Sequence, residues 1–172
     1  MEQQTTHDET PFGPQQFPLV LVCDGVKSPA NIGSIFRLAD SFGVSNIYFC
    51  GAPAIKSKRM ERTSRATHLK IKHQCPPELP PLLEQLQKEQ YQLIALEITS
   101  NSIPITAHTF DPHQKIALFI GEENLGIQAA ILAQVHHTIH IPMYGNNSSM
   151  NVAMAAGIAL YEITKQWKKL DF

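Results

Sequence analysis

From residue 19 onward, short apolar runs alternate with stretches in which apolar side chains recur every three or four positions. The runs at 19–23, 46–50, 91–97, 115–120 and 138–141 have the length of buried strands. Helices are expected between them: from Ala30 or Asn31 to Gly43, from the prolines at 76, 77, 80 and 81 to about Glu89, over 127–134, and from about Asn151 to Lys169. Lys27, Ser28 and Pro29 form the turn before the first helix, where Ile35, Leu38, Ala39 and Phe42 fall on one face. Strands separated by helices predict an α/β fold, a mainly parallel sheet flanked by helices. The Lys-, Arg- and Ser-rich stretch from 51 to about 67 reads as a loop, of a length that often carries function.

A chain of 172 residues fits one core, so residues 1–18 are assigned to a flexible leader and 19–172 to a single domain. The leader is polar and carries Glu2, Asp8 and Glu9, unlike a secretory signal. The longest apolar stretch, 152–161, is too short to span a bilayer. A cytoplasmic protein with no membrane role is expected. Cys23, Cys50 and Cys75 are widely spaced and odd in number, which suggests neither a disulfide framework nor a zinc knuckle, and all three are expected as buried free thiols. The formal charge of −1 does not favour a nucleic-acid partner, but its distribution changes that picture: Lys56, Lys58, Arg59, Arg62 and Arg65 stand close together against Glu61 alone.

Open α/β sheets bind ligands at the carboxyl ends of their strands, and three polar, glycine-containing segments fall there. In the first, which holds Asn31, Gly33 and Arg37, the asparagine is read as a helix cap and the glycine as a point of close backbone approach, while the bland alternative is an ordinary capped surface helix. The second runs Gly121-Glu122-Glu123-Asn124-Leu125-Gly126; its bland reading is a polar turn with acidic residues at a helix N-terminus. It lacks both the spacing of a dinucleotide fingerprint and the lysine of a phosphate loop. The third joins Ile141-Pro142-Met143 to Ser149-Met150-Asn151-Val152 ahead of an Ala-rich helix, and its bland reading is a turn and cap. His136 and His140 do not make a metal pair: on an extended chain they lie over ~13 Å apart at ~3.3 Å per residue, so no metal is expected.

Taken together and in order, these segments resemble the three motifs of the SpoU or TrmH family of SPOUT methyltransferases. Asn31, Gly33, Ile35, Arg37, Ala39, Phe42 and Gly43 meet the first motif, Gly121, Glu123 and Gly126 the second, and Ile141-Pro142-Met143 with Ser149-Met150-Asn151-Val152 the third, where Met150 replaces a leucine. The likeness covers about 19–165. It implies a deep trefoil knot at the C-terminal end, which physical reading of the chain would not suggest because knots are rare. It further implies a homodimer, S-adenosylmethionine as cofactor, and methyl transfer to a ribose 2′-hydroxyl of structured RNA, with tRNA favoured over rRNA. By the same likeness Gly121, Ile141, Met143 and Met150 line the cofactor pocket. Arg37 is the central catalytic residue, and Asn31, Glu123, Ser149 and Asn151 orient it, the ribose or the neighbouring loops. A free guanidinium has a pKa above ~12, so Arg37 is as well suited to steadying an alkoxide or a phosphate as to removing a proton. The competing reading is a non-catalytic RNA-binding module with a vestigial cofactor pocket.

Overall fold

The structure is a computed structural model, and it describes residues 13–51, 53 and 55–168. Most of the assigned leader and the end of the last predicted helix therefore lie outside the described residues. Among the described residues, seven strands form one sheet: β1 (Phe17–Asp24), β2 (Val44–Cys50), β3 (His73–Gln74), β4 (Tyr91–Leu96), β5 (Ile103–Pro104), β6 (Lys115–Ile120) and β7 (His137–His140). Their order is β3-β2-β1-β6-β4-β7-β5, and every neighbouring pair is parallel. The same described residues form five α-helices: α1 (Pro29–Ser41), α2 (Lys58–Ser64), α3 (Pro80–Lys88), α4 (Ala129–Leu132) and α5 (Val152–Lys168).

Both faces of the sheet are covered, which is why its central strands are apolar at nearly every position. On one face Leu19, Leu21, Ile116 and Leu118 pack with Ile32, Ile35, Phe36 and Ala39 of α1 and with Ala156, Ala159, Leu160 and Ile163 of α5. On the other, Val20, Val22, Ala117 and Phe119 meet Leu82, Leu83 and Leu86 of α3 and Ile131 of α4. Burying a side chain of this size contributes about 1.5–3 kcal/mol, and the alternation of faces along each strand dictates which helices it meets. The small residues of α5 serve close packing: a Cβ on Gly157 would come within 3.1 Å of Leu38.

Several expectations are corrected. The stretch taken as a loop contains α2, followed by a 3-10 turn at Thr67–Leu69. Seven residues with Met60 as the only large apolar side chain give no stripe to read, and so short a helix is not stable alone. It forms because Ser57 caps it, accepting from Met60 N at 3.1 Å, and because Met60 and Ser64 are buried beside α1. Gly33 is the contact point, since a Cβ there would lie 2.7 Å from both the Met60 carbonyl oxygen and Thr63 Cβ. Asn31 does not cap α1; Ser28 holds that position without a side-chain bond, and Asn31 sits inside the first turn. Leu38 and Phe42 are half-buried, while Ile32 and Phe36 complete the buried face.

The helix expected over 127–134 shortens to α4, because Asp24 accepts from both Gln128 N (2.9 Å) and Gln128 Nε2 (2.7 Å) and holds that residue outside the helix. The two-residue strands β3 and β5 are too short to leave a pattern. Cys23 and Cys50 are buried free thiols as expected, but Cys75 is exposed. Burial pushes the Cys50 thiol up to about 12, with the Asp24 carboxylate and Cys75 adding to it, so this thiol stays protonated and unreactive.

Candidate active site

The first glycine-containing segment opens α1 after β1, while the second and third lie at the carboxyl ends of β6 and β7, on either side of β4 in the sheet. Between them lies a cleft of about 580 Å³, a size that suits a small ligand. Gly121, Ile141, Met143 and Met150, the expected cofactor residues, all line it, as do Glu123 and Ser149.

The turn after β6 is fixed by two glycines. Gly126 has φ of +67° and its N–H donates to the Glu122 carbonyl at 2.9 Å, closing the loop. A Cβ on Gly121 would fall 2.2 Å from the Gly126 carbonyl carbon, so the two ends of the turn touch backbone to backbone. Any side chain at 121 would push them apart.

At the edge of the cleft a chain of hydrogen bonds joins all three motifs. The Asn31 amide Nδ2 donates to Glu123 Oε1. Asn31 Oδ1 accepts from Asn151 Nδ2 at 3.0 Å, and Asn151 Oδ1 accepts from Ala153 N (3.0 Å) and Met154 N (3.2 Å). Asn151 is thus the N-cap of α5, and its cap bonds decide the polarity of everything upstream. With Oδ1 committed to the helix amides, its NH2 must face Asn31, whose own NH2 must then face the Glu123 carboxylate. Asn31 thus has a bridging role in place of the expected capping one.

Arg37 lies elsewhere. It is exposed and lines a separate groove between α1 and α5, together with Ser34, Leu38, Asn151, Met154, Ile158 and others, and it is not part of the cleft wall. Among the described residues it forms no ion pair. Around it are large apolar side chains open to solvent: Met154 at 67% exposure and Tyr161 at 58%.

Sequence reasoning missed Glu97. It follows directly on the last residue of β4, and its carboxylate accepts from Ile98 N (2.9 Å, Oε1) and Ile127 N (3.0 Å, Oε2), tying the β4 end to the turn after Gly126. Reading 91–97 wholly as strand hid it; a lone acid at the carboxyl end of an apolar strand was the available signal. The histidines have local partners: His136 Nδ1 accepts from Leu93 N at 2.9 Å, and His140 Nδ1 pairs with Ser102 Oγ at 3.0 Å.

The family model described as the SpoU rRNA Methylase family matches residues 18–161, and the chain belongs to that family. It is 32% identical over 155 residues to the 23S rRNA (guanosine-2'-O-)-methyltransferase RlmB of Blochmanniella floridana, a match covering 88% of this chain and 59% of that protein. Among solved structures, the TrmH/SpoU tRNA modifying enzyme of A. aeolicus superposes with a TM-score of 0.83 at 26% identity, covering 92% of this chain and 79% of that one. The SpoU methyltransferase AviRb of Streptomyces viridochromogenes in complex with AdoMet gives 0.80 at 26%, covering 95% and 65%. The chain spans only about half to three-fifths of the length of the curated relatives it matches.

Proposed function

We propose that this chain is a cytoplasmic, homodimeric RNA methyltransferase that uses S-adenosylmethionine to methylate a ribose 2′-hydroxyl. The observation that carries the reading is the Glu123–Asn31–Asn151 chain, which links the three family motifs at the edge of one ligand-sized cleft. The cleft suits the cofactor chemically. Leu96, Ile141, Met143, Met150 and Val152 offer an apolar wall for a nucleoside, and Glu97, Glu122, Glu123, Thr99 and Ser149 offer acceptors for hydroxyl and ammonium groups. Bound there, S-adenosylmethionine would supply an electrophilic methyl carbon.

The protein's own contribution is chiefly positional, since holding nucleophile and methyl in line removes much of the barrier. Gly121, Ile141, Met143 and Met150 hold the cofactor; Asn31, Glu123, Ser149 and Asn151 orient the ribose and the loops around it. Arg37 anchors the substrate phosphate or steadies the developing alkoxide, roles that suit a permanently charged guanidinium better than proton abstraction. Its position outside the cleft of its own chain supports a dimer. A second copy covering Met154, Ile158 and Tyr161 buries an apolar face that is costly to leave wet, and carries each Arg37 toward the other copy's cleft. The C-terminal knot belongs to the same proposal, supported by the way the 121–127 and 141–150 segments share one cleft.

The substrate is structured RNA, with tRNA the first class to test, because the match to the tRNA modifying enzyme covers the larger share of its partner's length. The exposed cations of α2 support RNA capture. The test is calorimetric titration with S-adenosylmethionine, then labelled-methyl transfer to tRNA and to rRNA with nucleoside digestion, and light scattering for the dimer. A 2′-O-methylated nucleoside is the expected product. Cofactor binding without transfer to any RNA would favour the non-catalytic module, and no binding at all would overturn the methyltransferase reading.

A further inference from the structure

The wall of the cleft is electrically one-sided. Among the described residues that line it are three carboxylates, Glu97, Glu122 and Glu123, and no lysine or arginine. The three are held differently. The Glu123 carboxylate is engaged by Asn31, whereas Glu122 contributes only its backbone carbonyl to the turn, through Gly126 N, and its carboxylate is not pinned by any hydrogen bond among the described residues. Glu97 stands outside the three motifs, yet it is built into the cleft from two sides. Its backbone N–H donates to the Ile139 carbonyl of β7 at 2.9 Å, and its carboxylate takes the Ile98 and Ile127 amides. Space around it is also reserved: a Cβ on Gly126 would lie 2.5 Å from Glu97 Oε2. The half-buried side chain is therefore held in one place, with its negative charge in the cleft wall.

We infer that Glu97 sets the cleft's preference for the cationic cofactor over the uncharged product left after transfer. This rests on the S-adenosylmethionine reading. The physical argument is one of distance and charge. A sphere of 580 Å³ is about 10 Å across, little more than the ~8 Å Debye length at physiological salt, so a ligand charge on the Glu97 side of the cleft feels that carboxylate while one on the far side is largely screened from it. S-adenosylmethionine carries a sulfonium that S-adenosylhomocysteine lacks, while the two share the nucleoside and amino-acid groups. Contacts to those shared groups cannot separate the two ligands; a fixed negative charge can. Discrimination of this kind releases the spent cofactor and keeps product from holding the site.

The experiment is calorimetric titration of the intact protein with three ligands: S-adenosylmethionine, sinefungin, in which a protonated amine replaces the sulfonium, and neutral S-adenosylhomocysteine. The wild type should bind the two cations more tightly than the neutral compound. Glu97→Gln keeps the shape but removes the charge and one of the two oxygens that accept the Ile98 and Ile127 amides; it should weaken both cations by about tenfold more than the neutral ligand, whose own change reports the lost amide bond. Glu97→Asp keeps the charge and should preserve the ratio of affinities, whatever shortening does to their absolute values. Equal weakening of all three ligands by Glu97→Gln, or loss of the ratio in a folded Glu97→Asp, would reduce Glu97 to a structural tie and overturn the inference while leaving the methyltransferase reading intact. Failure of the wild type to bind any of the three would overturn both.

Discussion

Asn151 donates its side-chain amide to Oδ1 of Asn31 at 3.0 Å, a bond between residues 120 positions apart. Because Asn151 also caps α5, substitutions there separate stability from catalysis. Asn151→Asp retains an oxygen for Ala153 N and Met154 N, so the fold should hold to within about 0.5 kcal/mol, whereas Asn151→Ala should cost about 1 kcal/mol. Both remove the donor that orients Asn31, and methyl transfer should fall at least about tenfold in both. Thermal denaturation and a transfer assay check the pair; an Asn151→Asp protein of full activity would show that the Asn31 link does not matter for turnover.

Arg37 is exposed and belongs to the groove between α1 and α5. Arg37→Ala should bind cofactor as the wild type does and lose about 10²–10³-fold in transfer, the scale seen when one charge-stabilising donor is removed. If it serves the other copy's cleft, co-expressing Arg37→Ala with Glu123→Gln should restore activity that neither variant has alone. Absence of recovery in verified mixed dimers would assign Arg37 to its own chain.

Lys58, Arg59 and Arg62 are exposed on α2, whose inner side is fixed to α1 through Met60 and Gly33. Replacing all three with Ala leaves that packing untouched. RNA binding should weaken, and the slope of log affinity against log salt should flatten by about 0.7–0.9 for each phosphate that the protein no longer neutralises. Filter binding across a salt series checks this, and an unchanged slope would mean that these charges serve only solvation.

His108 is buried, meets Phe110 edge to face with ring centres 4.6 Å apart and His137 at a tilt at 4.8 Å, and its Nε2 has no hydrogen-bond partner among the described residues. Burial holds its pKa below the ordinary histidine value, with His137 adding to the effect. The folded state therefore favours the neutral ring, and the unfolded chain binds more protons in mild acid. The stabilisation is fully present above about pH 6.5 and declines as the pH falls through the lowered value. His108→Phe keeps an aromatic ring against Phe110 and should flatten the loss of stability between about pH 7 and pH 5. Urea unfolding at the two pH values checks it; an unaltered difference would place the acid sensitivity elsewhere.

The sequence by itself determined the layered α/β class, five of the seven strands to within two residues and the three polar segments at strand ends, because apolar runs and helical periodicity are local consequences of burial. Family likeness to the three motifs carried the residue roles, and Gly121, Ile141, Met143 and Met150 do line one cleft. Tertiary structure alone decided the rest. Helix α2 exists only where Gly33 lets it lie against α1, and α4 starts late because Asp24 holds Gln128. Asn31 exchanged an expected cap for a bridge between Glu123 and Asn151, and Glu97 entered the site through bonds to Ile98 and Ile127. The physical reason is common to all four. Whether a polar side chain caps, bridges or faces a ligand depends on which partner approaches it in space, and β4, β6 and β7 become neighbours only after the sheet has assembled in an order that no local pattern encodes.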